Sequence, residues 1–278
     1  MGDPPMTDVL FDAPGPKARA RSRTLSIVGG VLIAAVLGWV IYTLALPRES
    51  SVGVSQPGMF DASRWDIFRD LQLWRSVGQG VWNTLRAAFL AAAIAVVLGM
   101  ALSLLRSART AWVRVPTIVF IEFFRGMPVL LLMLFILLAG STREYWAVVA
   151  ALALYNGTLI GEILRSGLAA LPAGQREAGL SLGLPPLQTR LLIEFPQAFR
   201  QMLPVIVAQL VVLLKDTSLG YIVGYPELLR VMLNQMNAYY GSRFLFPLWL
   251  VTVIIYLVMN LSLSWLARRL GRGPRARR

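Results

Sequence analysis

The sequence predicts an all-α polytopic membrane protein with six transmembrane helices. Three observations carry this: 56% of the 278 residues are hydrophobic, only 15% are charged, and the apolar residues lie in long uncharged blocks. A soluble domain carries about 25% charged residues. Its apolar residues recur at strand or helix spacing, not in blocks long enough to cross about 30 Å of hydrocarbon.

The first 24 residues are polar and rich in Pro and Gly, and end in Lys17, Arg19, Arg21 and Arg23. Segment 1–24 reads as a disordered tail and not as a cleavable signal peptide, because the block that follows is long enough to span. That block, 25–46, has 22 residues without a charge and reads as a retained helix. Segment 47–80 reads as a linker. Within it Trp65, Phe68, Leu71, Trp74 and Val77 recur every three residues, which predicts a short helix lying in the membrane interface. Five further spans fall within 81–267. They are 87–105 (beginning a turn earlier, near Val81), 115–140, 145–161, 201–224 and 244–267. Segment 268–278 is a basic tail with six Arg.

Lys and Arg in the connections set the orientation. With both termini inside, the inner segments hold 17 basic residues and the outer segments seven. That bias predicts cytoplasmic termini in a cell membrane. The net charge of +13 is thereby explained by residues flanking spans, and no nucleic-acid partner is expected. The chain has no Cys and no His, which removes thiolate metal sites, disulfides, the usual metal ligand and the usual general base. Neither Lys17 nor Lys215 stands in a Gly-x-x-x-x-Gly-Lys-Ser/Thr loop, so no phosphate cradle for ATP is present. The chain is expected to need no cofactor or metal and not to be an enzyme.

The loop 170–200, between the fourth and fifth spans, is the most informative segment. Pro172 can open a helix and Gly183 can close it. Pro185 can open a second, which Pro196 would stop or kink. Ala178, Leu180, Leu182, Leu184 and Leu187 exceed what a solvated loop needs and suggest a docking surface.

Here the chain resembles importers of the ATP-binding-cassette class. Their cytoplasmic signature is Glu-Ala-Ala, three residues, Gly, nine residues, Ile, one residue, Leu-Pro. This sequence has Glu177, Ala178, Gly179, Gly183, Ile193 and Phe195-Pro196 at matching spacing, with Gly179 for the second Ala and Phe195 for Leu. The Gly is expected to loosen the helix by up to about 1 kcal/mol. Ile121-Glu122-Phe123-Phe124-Arg125-Gly126-Met127-Pro128 resembles the third-span motif of the polar amino acid permease branch. Leu214-Lys215-Asp216-Thr217-Ser218-Leu219, followed by Gly224-Tyr225-Pro226-Glu227-Leu228-Leu229-Arg230, resembles its fifth-span motif. Leu10-Phe11-Asp12-Ala13-Pro14-Gly15-Pro16 is similar to glutamate-type permeases with an extra N-terminal span.

The resemblance implies a five-helix importer core plus one extra helix, passing a polar amino acid such as glutamate. It implies that Glu177, Ala178, Gly179, Gly183, Ile193 and Pro196 couple the chain to a cytoplasmic ATPase dimer. It further implies an external solute-binding receptor and a second permease subunit. The six-Arg tail and extra span favour a heterodimer.

Charges within spans are costly and usually face a cavity or a partner. Glu122 and Arg125 are three apart and share a helix face, so they can pair. Two readings stand: a structural ion pair, or a positive field on the translocation path. Gly126 and Pro128 should kink or break the helix there, and broken helices often line binding sites. Lys215 and Asp216 point to different faces, so partners in neighbouring helices or a gate role are expected. Thr217 and Ser218 follow in the same motif and are counted with them. Glu162 reads as interfacial. The competing class is a stand-alone secondary transporter or channel, which usually shows internal repeats. No repeat is visible.

Overall fold

The computed structural model describes residues 15–49, 55–108 and 110–271, and the chain divides into two units, 1–66 and 67–278. The glutamate-type motif at 10–16, apart from Gly15 and Pro16, lies outside the described residues, as do Arg109 and the tail arginines from Arg272 on.

In the first unit, helix α1 runs Pro16–Ala45. The expected tail therefore ends earlier: residues 16–24 are helical. Pro16 sits in the first turn, where its missing N–H costs nothing, and Gly15 is extended before it. The Ala, Lys and Arg that follow are good helix formers. The apolar block fixes which part can lie in lipid, while propensity and the proline fix where the helix starts. No residue of α1 is buried. After α1, β1 (Arg48–Glu49) pairs antiparallel with β2 (Ser55–Gln56). A 3-10 turn, Ala62–Arg64, is capped by Asp61, whose carboxylate accepts from the Ser63 N–H and hydroxyl. These two bonds hold the Asp61 carboxyl below its usual range.

The second unit opens with α2, Leu71–Arg106, capped by Asp70 accepting from the Gln72 N–H. The expected interfacial helix is thus not a separate element. Residues 71–80 are the first turns of span two, and 66–69 form a 3-10 turn before it. The recurring face is not the buried one: Leu71 and Trp74 are exposed and Val77 alone of the five is buried, while Ile67, Leu73 and Val77 pack with Leu228, Val231, Met232 and Phe244 in a core of their own.

Helix α3 (Ala111–Gly126) and α4 (Val129–Ala139) meet at 103°. The break falls at Met127, which is extended (φ −85°, ψ 130°), as a residue before proline prefers. Gly126 is still helical, and a Cβ there would meet nothing within 4 Å. Pro128 therefore makes the break and Gly126 does not. The six expected spans correspond to five unbroken helices plus this bent pair.

Helix α5 (Glu144–Ala169) is the central element. Its Gly157 and Gly161 face Gly99 of α2, so the two backbones approach closely: a Cβ on Gly99 would lie 2.6 Å from Ile160 and 3.0 Å from the Gly157 carbonyl oxygen. Small residues four apart serve this purpose where lipid supplies no hydrophobic drive between helices. Helix α6 (Ala173–Ser181) and α7 (Pro186–Thr189) form the loop, and α8 (Phe195–Asp216) follows α7 through a π-helical stretch, Arg190–Glu194. Of the two effects expected of Pro196, to stop or to kink the helix, the stop does not occur. Pro196 falls in the first turn of α8, and the wider π turn before it absorbs the missing N–H. Buried Asn156 of α5 accepts from the Gln209 amide of α8 at 2.9 Å. A 3-10 stretch, Thr217–Tyr221, ends α8. Glu227 then caps α9 (Leu228–Arg230), which continues through a π turn, Val231–Met236, into α10 (Asn237–Tyr240). Helix α11 (Leu245–Gly271) is the last span.

Candidate coupling loop and charged path residues

The loop is built from its turn outward. Gly183 has φ +78°, a left-handed conformation that favours glycine. It closes α6 with three bonds: Leu182 N–H to Ala178 O (3.2 Å), Gly183 N–H to Leu180 O (3.0 Å) and Leu184 N–H to Gly179 O (3.2 Å). This satisfies carbonyls that a helix end otherwise leaves open. Pro185 then caps α7, and the chain folds back on α6.

Gly179 is the buried residue of α6. A Cβ there would lie 2.5 Å from Thr189 Cγ2 and 2.9 Å from Ile193 Cδ1. The departure from Ala-Ala is therefore a packing solution. The helix gives up propensity at Gly179 and gains a close seat on the π turn. Ile193 touches this seat and is half-buried. Thr189 is buried at 1% exposure, with its hydroxyl 3.3 Å from the Pro185 carbonyl. Sequence reasoning missed Thr189, because nothing local marks it.

Glu177, Ala178 and Pro196 are exposed. So are Leu180, Leu182 and Leu187, with Leu182 at 79%, while Leu184 is half-buried. Two ties hold the loop to the bundle. Gln197 of α8 donates to the Gln175 side chain of α6 at 3.0 Å. Arg190 donates to the Ser107 carbonyl after α2 at 2.8 Å and faces Glu194 at 3.5 Å. Beside the second tie lies a groove of about 640 Å³ whose lining includes Ser107, Arg114, Arg176, Arg190, Glu194 and Leu187. No local pattern marks Arg190, because its partner Ser107 lies 83 residues away in the chain.

The charged residues of the spans form a larger network than the expected pair. Arg125 donates to Glu122 at 2.7 Å, as the spacing predicts. Glu122 also lies 3.7 Å from Arg106, the last residue of α2. Arg106 in turn bonds Glu162 of α5, which receives Arg165 at 3.1 Å. Glu162 is therefore a bridging carboxylate with a 17% exposed side chain, not a lone interfacial charge. The Glu122 and Arg125 side chains remain 47% and 41% exposed. Gly126 and Pro128 follow at the break.

Lys215 is exposed and Asp216 half-buried at the end of α8, and among the described residues neither forms an ion pair. Among the described residues no ion pair joins either of them to a neighbouring helix. Thr217 is fully buried and its hydroxyl bonds the Leu214 carbonyl. Ser218 bonds the Lys215 carbonyl in the same manner. These two hydroxyls are spent on the local turn. Glu227, fully buried, accepts from the Leu229 and Arg230 N–H groups and from the Tyr256 hydroxyl, a structural role the sequence motif did not reveal.

Residues 95–276 match the family described as the inner membrane component of binding-protein-dependent transport systems. The chain belongs to this family. It is 40% identical over 234 residues to the glutamate transport system permease protein GluD of Corynebacterium glutamicum, covering 81% of this chain and 85% of that one. It is 36% identical over 198 residues to the probable glutamine ABC transporter permease protein GlnP of Bacillus subtilis, covering 69% and 90%. Among solved structures it is similar to a crystal structure of an amino acid ABC transporter with histidines, at 27% identity and TM-score 0.65, covering 73% of this chain and 95% of that chain. Membership sets aside the stand-alone carrier or channel: this is a multi-pass membrane component of an ABC-type transport system.

Proposed function

We propose that this chain is the membrane subunit of an ATP-driven importer for a polar amino acid, glutamate or a close relative. It forms a translocation path by alternating access, and ATP is hydrolysed on a separate cytoplasmic ATPase dimer. An external solute-binding receptor delivers the substrate, and a second, related permease completes the path as a heterodimer. Both termini and the 170–200 loop face the cytoplasm, on the charge bias of 17 against seven. The glutamate and glutamine permeases among its relatives support the substrate class.

The loop geometry carries this reading. Coupling needs an element that both sites can bias. The short helix α6 fits: it is closed at Gly183, seated on Thr189 and Ile193 through Gly179, and tied to α8 by Gln175, while Arg190 of the π turn beneath it reaches the end of α2. Its outer face (Glu177, Ala178, Leu180 and Leu182) is left exposed for the ATPase. The network Arg125, Glu122, Arg106, Glu162 and Arg165 joins α2, α3 and α5 at that same end, where a gate acts. Gly126 and Pro128 at the break, and Lys215, Asp216 and Ser218 at the end of α8, border the path, with buried Thr217 fixing the turn behind them.

The test is uptake together with receptor-stimulated ATP hydrolysis in the reconstituted complex. Glu177→Lys should leave membrane insertion intact and reduce both at least tenfold, because it reverses a charge at the docked face. Normal uptake by this variant means that the loop is an ordinary connection.

A further inference from the structure

Arg86 has no role in the coupling loop or the charge network. It lies in α2, and ionisable residues in spans normally pair or face a cavity. Its Nε donates to the Tyr225 hydroxyl at 3.2 Å, and that hydroxyl donates to the Asn83 carbonyl at 2.8 Å. Its Cζ sits 4.8 Å from the Tyr145 ring centroid and 6.0 Å from that of Tyr225. Tyr225 is fully buried and the two rings are 5.7 Å apart. The guanidinium is thus folded back onto aromatic rings from α5 and from the turn before α9, and is not extended away from the bundle.

One edge of the guanidinium is fixed and the other is unused. Among the described residues no Asp or Glu oxygen comes within 4 Å of Arg86, and its Nη groups make no hydrogen bond. The residue nevertheless remains exposed. The Nη edge of a guanidinium is the fork that takes a carboxylate in two parallel bonds. Aromatic faces behind it hold the cation by its ring contacts and exclude water from one side.

Tyr145 is in the first turn of α5, while Glu162, which anchors the ion-pair network, lies near its other end. Seventeen residues of helix separate these two by about 25 Å. Arg86 therefore stands at the opposite end of the bundle from Arg125 and from the coupling loop.

We propose that Arg86, oriented by Tyr145 and Tyr225, binds the carboxylate of the amino acid as it enters the membrane path from the receptor side. This rests on the amino acid importer reading above. A phospholipid phosphate would also satisfy the same fork, and the experiment separates the two.

The complete importer, with its ATPase, receptor and second permease, is reconstituted in proteoliposomes, and glutamate and glutamine uptake are measured at saturating receptor. Phospholipid that stays bound through detergent purification is counted by native mass spectrometry. Arg86→Gln should lower uptake at least tenfold while receptor-stimulated ATP hydrolysis stays within twofold. Arg86→Lys, which keeps the charge without the fork, should recover part of the uptake. Uptake and ATP hydrolysis falling in parallel in both variants would make Arg86 a packing residue. Loss of a bound phospholipid in Arg86→Gln with unchanged uptake assigns the fork to lipid, and unchanged uptake with unchanged lipid leaves it no ligand; either overturns the proposal. A wild-type complex that moves no amino acid at all overturns the importer reading and this site with it. Wild-type transport with an indifferent Arg86→Gln overturns only the site.

Discussion

Gly179 and Gly183 show how single residues set the geometry of the candidate coupling loop. Gly183 holds φ +78°, so a side chain there costs about 1–3 kcal/mol of backbone strain even though nothing crowds it. Gly183→Val should leave the chain in the membrane at normal level and reduce ATP-dependent uptake at least tenfold. Gly179 is constrained by space instead, against Thr189 Cγ2 at 2.5 Å. Gly179→Ala should reduce uptake, and adding Thr189→Ser, which removes that methyl, should recover part of it. No recovery would mean that the helix tolerates the contact and that the seat is set elsewhere. Asp70 offers a test in pH. The Tyr240 hydroxyl bonds its carboxylate, and the Gln72 N–H adds to this, holding its pKa below the usual range. A depressed acid contributes stability that is present above the unfolded carboxylate value and lost as pH falls through the folded one. Tyr240→Phe should therefore narrow the difference in thermal midpoint between neutral and acidic solution, measured in detergent, by weakening the neutral-pH side. An identical pH dependence in this variant would show that the hydroxyl does not act on Asp70.

At the scale of elements, the α3–α4 bend and the ion-pair network make separable predictions. The break depends on Pro128, which forces Met127 out of helix, and Gly126 has open space around it. Gly126→Ala should keep uptake within twofold, whereas Pro128→Ala should let the helix continue and reduce uptake several-fold. Equal effects would return the break to the glycine. In the network, Arg125 and Glu122 are nearly half exposed, so their bond contributes about 0–1 kcal/mol. Arg106 and Glu162 have side chains only 19% and 17% exposed, and removing one partner of such a pair costs about 3 kcal/mol, the low end for a buried pair. Arg106→Gln should thus lower the thermal midpoint in detergent clearly more than Arg125→Gln. Arg125→Gln in turn should reduce uptake more than protein level if Arg125 serves the path. The reverse order of stabilities would show that the exposed end of the network is the anchored one.

For the whole molecule, topology is the first measurable consequence. Reporters fused before residue 15 and after Arg278 should both read cytoplasmic, and one at Ser55 should read external. An external C-terminus would require the bent α3–α4 pair to enter and leave on one side, reducing the crossings to five. The matched family segment, 95–276, excludes α1. No residue of α1 is buried, so its apolar surface is available to lipid or to a partner chain.

Much of this was legible in the sequence by itself. Uncharged blocks fixed the membrane class, because hydrocarbon accepts few charges whatever the tertiary arrangement. Basic residues predict the orientation, and spacing located the candidate coupling loop, because its turn at Gly183 and its caps are local backbone requirements. Glu122 and Arg125 pair because three residues is a helical interval. What only the tertiary structure decided was contact between distant segments. That Gly179 needs Thr189, that Arg190 reaches Ser107, that Arg106 gathers Glu122 and Glu162, and that Tyr225 and Tyr145 hold Arg86 could not be read from any window. Those pairs are set by how α2, α5 and α8 pack. In lipid that packing depends on small residues and shape complementarity, which leave no periodic hydrophobic trace along a chain that is apolar on every face.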